Sequence, residues 1–324
     1  MNPASAILVK MAIDTGRSTF TEFDLFVLAR QLFHDRGYRG EAIAHRNGPL
    51  TARRAKQLVF DATYDSSFPV SHLGSSDEET YDRPGRLRRD VDFTSILFSS
   101  QKADAETVMM AADPFCYLSH ASALDAHQLS IAAGTDLHFT APERVEWRLR
   151  AESYMSNALG FSVAASGKED LPFLLTRPQP NPVVRGRRVH RHETQFPMSQ
   201  SDVAAPLRVA PIGMTFRDTL AAPAWCGGMA AVVAIWRRHA RAHAEEIIIA
   251  ISACREKIVR VRAGYLLEEF LEISDPRIAA WTIDAQRGSS RKLDPAGPYA
   301  SRFSARWMIS INVTDEDLPA TTAA

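Results

Sequence analysis

The run Thr51-Ala52-Arg53-Arg54-Ala55-Lys56-Gln57-Leu58-Val59-Phe60-Asp61-Ala62-Thr63-Tyr64 predicts a helix that sets the architecture of the N-terminal third. Ala55, Leu58, Val59 and Ala62 recur at intervals of three and four, so they share one helix face, while Arg53, Arg54, Lys56 and Gln57 fall on other faces. Thr51 stands where an N-cap hydroxyl is needed. Working outward, Ala6, Ile7, Val9, Met11 and Ile13 predict a short buried helix over residues 4–14, ending before Gly16. Ser18 to Thr21 reads as an extended piece with a capping threonine. Phe23, Phe26, Val27, Arg30 and Phe33 then predict a second helix ending near Gly37. Downstream, Phe68–Leu73 and Val91–Phe98 read as two strands joined by the polar, glycine- and proline-containing stretch from Gly74 to Asp90. Three helices followed by a hairpin is the order of a winged helix-turn-helix, expected over residues 1–105.

Such a module reads DNA by placing one helix in the major groove, about 12 Å wide. Arg53, Arg54 and Gln57 suit guanine or adenine edges. Thr51, Lys56 and the wing residues Arg86, Arg88 and Arg89 suit phosphates. The chain carries 38 basic and 38 acidic residues, so its net charge gives no reason to expect a polyanion partner, and any nucleic-acid surface must be local. Between Arg36 and Lys56 six basic residues (Arg36, Arg39, Arg46, Arg53, Arg54 and Lys56) face one acid, Glu41. Neutralising about five phosphates would give a log–log salt slope of roughly −4 to −5. Two other readings stay open: solvated arginines on an exposed face, or a winged helix that binds a protein. The acids Asp77, Glu78, Glu79 and Asp82 weigh against a phosphate role for the wing.

At 324 residues and 45% hydrophobic, the chain is long enough for two or three domains and a sizeable core. Asp113-Pro114 stops a helical connector, which puts a boundary near residue 105. A larger mixed α/β domain is expected over 106–313 and a disordered tail over 314–324, making the whole α+β. Within that domain His138–Thr140 and Val145–Leu149 read as strands. Met229 to Glu269 reads as a long helical hairpin with a broad apolar face. Cys116, Cys226 and Cys254 fit neither a disulfide framework nor a zinc site, so a reducing cytoplasm is the simplest compartment. No apolar run approaches the roughly 20 residues of a membrane span, and no secretory leader is visible. Arg177 to His192 contains no acid, and Arg185, Arg187, Arg188 and Arg191 there form either a contact for a partner or an ordinary solvated loop.

Chemistry finds little support. Asp218, Glu245, Glu246, Glu268, Glu269 and His120 are the candidate acids and bases. Glu268 and Glu269, adjacent on a helix, point about 100° apart and do not converge. Phosphate-loop, nucleophile-elbow and zinc spacings are missing from the sequence. Ser119 is expected to cap a helix beginning at His120. An enzyme is therefore not expected, and neither is a cofactor or a metal; a magnesium-dependent nucleic-acid enzyme is the outlying alternative.

Several separated motifs carry a family likeness. They are Tyr117-Leu118-Ser119-His120, Ser122-Ala123-Leu124, His127-Gln128-Leu129, Thr215-Phe216-Arg217-Asp218-Thr219-Leu220, Cys226-Gly227-Gly228, Gly264-Tyr265-Leu266-Leu267-Glu268, Leu293-Asp294-Pro295 and a final strand-like stretch, Arg306–Val313. In this order they resemble the AbiEi family of antitoxin regulators, which more often has glycine in place of Gln128. The resemblance implies a type IV toxin–antitoxin, abortive-infection role in phage defence. It implies an N-terminal transcriptional repressor that binds operator DNA, and a C-terminal domain that antagonises a nucleotidyltransferase-like toxin. It leaves open a homodimer on DNA. The matched residues themselves read as structural: Gly227, Gly228 and Gly264 for backbone geometry, Leu266 and Leu267 for packing.

Overall fold

The fold is α+β. The computed structural model describes residues 3–43, 48–63, 71–72, 97–99, 103–130, 134–166, 171–178, 183–195, 207–286 and 291–313. The chain divides into two compact units, Met1–Cys116 with Thr140–Arg208, and Tyr117–Phe139 with Val209–Ala324. The boundary expected near 105 lies inside the first unit, and residues 140–208 return to it. The tail expected to be disordered lies outside the described residues.

The first unit opens with α1 (Pro3–Asp14), β1 (Thr19–Thr21) and α2 (Glu22–Asp35). Thr21 starts α2 through a capping box. Its hydroxyl accepts from the Asp24 N–H at 3.1 Å, and the Asp24 carboxylate accepts from the Thr21 N–H at 2.7 Å, satisfying two otherwise orphaned donors. A short hairpin, β2 (Gly37–Tyr38) and β3 (Glu41–Ala42), fills part of the span before α3 (Ala52–Thr63). Then come β4 (Ser71–His72) and β5 (Leu97–Ser99). β5 lies between β1 and β4 in an antiparallel sheet, with Phe98 opposite Phe20 on one side and His72 on the other. Leu8, Leu25 and Leu32 pack with Leu58, Val59 and Ala62 of α3 in one buried cluster, so the apolar spacing read from the sequence is what seats α3.

Next is α4 (Ala105–Ala112), capped by Asp104 and ended at Asp113 before Pro114, as the sequence requires. The chain crosses into the second unit as β6 (Tyr117–Leu118), α5 (His120–Ala126) and the start of β7 (Leu137–Pro142), then returns as α6 (Arg144–Leu159). The strand expected over Val145–Leu149 is therefore helix. Trp147, Ala151, Met155 and Leu159 recur every four residues and are all buried, so the longer helical period overrides the local alternation. They pack with Phe23, Phe26, Ala55 and Phe115. β8 (Val183–Val184) and β9 (Arg187–Thr194) close a tight antiparallel hairpin around Arg185 and Gly186, with φ of 51° and 76°. Two consecutive positive φ values are what a two-residue hairpin turn needs.

In the second unit follow α7 (Ile212–Ala221), a short turn of helix at Pro223–Cys226, α8 (Met229–His239), α9 (Ala244–Ala253) and α10 (Lys257–Gly264). A π-helical stretch, Tyr265–Phe270, continues α10. The long hairpin expected from 229 to 269 is thus broken into three helices. Leu124 and Leu129 from the early insertion join Phe216, Trp236, Ile247, Leu266 and Trp307 in one core. Val209 bridges Leu118, and the Ala210 N–H donates to the Leu118 carbonyl at 2.9 Å. All the motifs that carry the family likeness therefore lie in this unit. Gly227 and Gly228 have φ of 88° and 86°, as expected of their turn. Gly264 is ordinary helix with φ of −59°, and its reason is different: a Cβ there would sit 2.2 Å from the Trp307 ring. Among the described residues no helix is long and apolar enough to cross a membrane.

Candidate nucleic-acid interface

Successive helix residues are rotated by about 100°, so the buried Ala55, Leu58, Val59 and Ala62 leave an opposite face made of Arg53, Lys56, Gln57 and Phe60. All four of these are exposed. Among the described residues Arg53 and Lys56 make no hydrogen bond or ion pair, so both cations stand free. Gln57 does not: its Nε2 donates to the Asp61 carboxylate at 2.6 Å, one turn along. Thr51 caps α3, its hydroxyl accepting from the Arg54 N–H at 3.3 Å.

Arg54 is half-buried. Its guanidinium lies over the Phe33 ring, 5.1 Å from the centroid, and Nη1 donates to the Gly48 carbonyl at 3.4 Å. Cation–π contact of this kind holds the side chain against α2 rather than outward. Arg39, counted in the local basic excess, pairs with Asp14 at 3.2 Å. Arg46 and the wing residues Arg86, Arg88 and Arg89 lie outside the described residues. Sequence reasoning passed over Phe60, which is 52% exposed and shares the face of Arg53 and Lys56. The available signal was that Phe60 alone among the apolar residues of α3 falls off the buried spacing. An exposed ring between cations can contact a thymine methyl or a partner's apolar surface.

The second basic run behaves differently. Arg187 pairs with Glu106 of α4. Arg191 pairs with the buried Asp113 at 3.2 Å and donates to the Pro178 carbonyl at 2.6 Å. Arg177 pairs with Glu193. A stretch without acids thus receives them from α4, from the residue ending it, and from the far end of β9. Arg185, at the hairpin turn, and Arg188 remain exposed, and Arg188 makes no hydrogen bond or ion pair among the described residues.

Four of the five candidate acids, all but Glu246, are engaged within the second unit. Asp218 pairs with Arg217 at 2.7 Å, and burial pushes its carboxyl above the usual range against the pull of that guanidinium. Glu245 pairs with Arg277 at 2.6 Å. Glu268 accepts from Arg306 and from the Trp307 indole at 3.0 Å, while Glu269 accepts from the Ser304 hydroxyl at 2.8 Å. Among the described residues no three His, Cys, Asp or Glu side chains gather as a metal site. Ser119 occupies the N-cap of α5 but its side chain makes no capping bond, contrary to expectation. His120 takes a left-handed φ of 49°, and its Nδ1 meets the Ser119 hydroxyl at 2.9 Å. The His120 ring also lies 5.5 Å from Trp225 and 6.0 Å from His138. Burial, then the nearby Arg217, pushes the His120 imidazole down to about 4, so it is neutral at pH 7. The three thiols are free and buried, and burial raises Cys116 to about 12, which removes thiolate chemistry there.

No protein-family model matches the chain, and no curated protein matches it. Among solved structures it is similar to the RV2827C protein from Mycobacterium tuberculosis, at 12% identity and a TM-score of 0.41, over 82% of this chain and 86% of that one.

Proposed function

We propose that the protein is an AbiEi-like antitoxin of a bacterial type IV toxin–antitoxin system. In this reading it is a cytoplasmic repressor that binds its own promoter through α3, and its second unit antagonises a nucleotidyltransferase-like toxin. The observation that carries the reading is the outward face of α3, where Arg53 and Lys56 stand free beside Phe60. The setting supports it. Three helices that share a core and a three-stranded sheet with β5 between β1 and β4 support the reading of a winged helix-turn-helix with an extra β2–β3 hairpin between α2 and α3. The antitoxin half rests on the motif order, and Leu124, Leu129, Phe216, Cys226, Leu266, Leu293 and Trp307 from those motifs share one core. Three reduced, buried thiols suit a reducing compartment.

The test is a gel shift with the full chain and the region upstream of its operon. A complex is expected at low salt. With Lys56 as the phosphate contact and Arg53 at a base edge the salt slope is roughly −1, steeper by about one for each of Arg86, Arg88 and Arg89 that joins. Absence of any complex at low salt would sink the repressor role. Phe60, 52% exposed, specifically favours a second reading in which the same face docks a protein without DNA. Replacing Phe60 with alanine separates the two: loss of toxin neutralisation by a chain that forms no promoter complex supports the protein-docking reading, and weakened promoter binding supports the repressor.

A further inference from the structure

Arg208 ends the first unit and is 8% exposed. Its Nε donates to the Cys116 carbonyl at 2.8 Å, and its Nη2 donates to the carbonyls of Met110 and Asp113 at 2.9 and 2.8 Å. Three carbonyls orient the guanidinium, yet among the described residues no carboxylate pairs with it. A buried cation without a counter-charge is costly, so its survival needs an anion or water at the remaining edge. That edge is Nη1, which has no acceptor among the described residues and is not sealed off, because Arg208 lines a cleft of about 890 Å³ within the same unit.

The rest of the wall has matching chemistry. Arg17 also lines the cleft, with nearly half its side chain exposed. Its partner Asp24, bound through both oxygens at 3.0 and 3.1 Å, also serves the capping box of α2. Among the described residues of the cleft wall two guanidiniums therefore meet one carboxylate, and one positive charge is left over. Tyr154 and Asn157, three residues apart on α6, line the same cleft, and among the described residues neither the Tyr154 hydroxyl nor the Asn157 amide has a hydrogen-bond partner. Burial, followed by the charge of Asp24, raises the Tyr154 phenol, so it stays a donor at neutral pH.

We infer that this cleft binds a small anionic metabolite bearing a carboxylate or phosphate, held by Arg208 Nη1, the Tyr154 hydroxyl and the Asn157 amide. The binding is independent of DNA and is read on the free protein. The cleft volume suits a ligand of nucleotide or tricarboxylate size. Isothermal titration calorimetry on the full chain at low ionic strength tests it, with AMP as the phosphate probe, citrate as the carboxylate probe and adenosine as the neutral control. Saturable one-to-one binding of AMP or citrate is expected, and which one binds identifies the source of the anion. Tyr154→Phe should weaken it about tenfold, as loss of a charge-assisted hydrogen bond does, and Arg208→Lys by more. Should Arg208→Lys fail to fold, Tyr154→Phe with Asn157→Ala carries the same test. The proposal falls if neither anion binds at up to about 10 mM. It falls equally if adenosine binds as well as AMP, or if the double variant binds as the unaltered chain does.

Discussion

Two basic runs of the first unit look alike as sequence and differ as structure. On α3, Arg53 and Lys56 project freely. On β9, Arg187 and Arg191 are tied to Glu106 and Asp113, residues about eighty positions earlier. The difference teaches that a count of local charge measures potential partners, while the fold decides how many are already taken. A free cation on a helix can be spent on phosphate; a cation holding a buried carboxylate is part of the scaffold.

The largest expected effect tests the scaffold side. Asp113 is 2% exposed and accepts from the Phe115 N–H, the Trp147 indole and Arg191. Asp113→Ala should destabilise the protein by about 3–5 kcal/mol in urea unfolding, because it strands a buried guanidinium. A loss under about 1 kcal/mol would make Arg191 an ordinary surface residue and erase the contrast.

Acid should reveal the same fixing of polar groups in the second unit. The His120 imidazole is held below its ordinary 6.5, at about 4, so the unfolded chain takes up a proton first as pH falls. This contribution is fully present above about pH 6.5 and is lost progressively down to about pH 4, for a total of roughly 3 kcal/mol. Urea midpoints at pH 7, 5.5 and 4.5, compared with those of His120→Gln, measure it. Parallel pH curves for the two chains would show that His120 is not the source.

On the free side, Arg53→Glu with Lys56→Glu should weaken promoter binding on the order of a hundredfold, about 2.7 kcal/mol, with the melting temperature unchanged. The matching reversal of Arg185 and Arg188 should leave promoter binding intact, which sharpens the contrast by showing that exposure alone is not enough. The smallest effect belongs to Arg187→Ala. Its ion pair with Glu106 is partly solvated, so about 1 kcal/mol of stability is expected, read by thermal unfolding.

Much of the first unit was legible. The boundaries of α1, α2 and α3 followed from apolar spacing and from Thr21 and Thr51, whose capping needs only residues three positions away. Elements whose identity depends on distant partners were not. Val145, Trp147 and Leu149 alternate like a strand, and the four-residue recurrence out to Leu159 emerges only over the whole helix. Gly264 reads from sequence as a glycine needed for backbone geometry, whereas the Trp307 ring packed against it gives the reason as close approach. Ser119 had the right residue type and place for a cap, but the left-handed turn at His120 brings an imidazole to its hydroxyl instead.

By itself the sequence determined α1, α2 and α3, the buried face of α3 and the α+β class, because periodicity and capping act over a few residues of one chain segment. Only tertiary structure decided that residues 140–208 rejoin the first unit, that Arg54 stacks on Phe33 while Arg53 stays free, and that Arg208 ends beside a cleft with no carboxylate paired to it among the described residues. Those outcomes depend on which side chains meet across long stretches of chain, where burial and charge pairing are settled together.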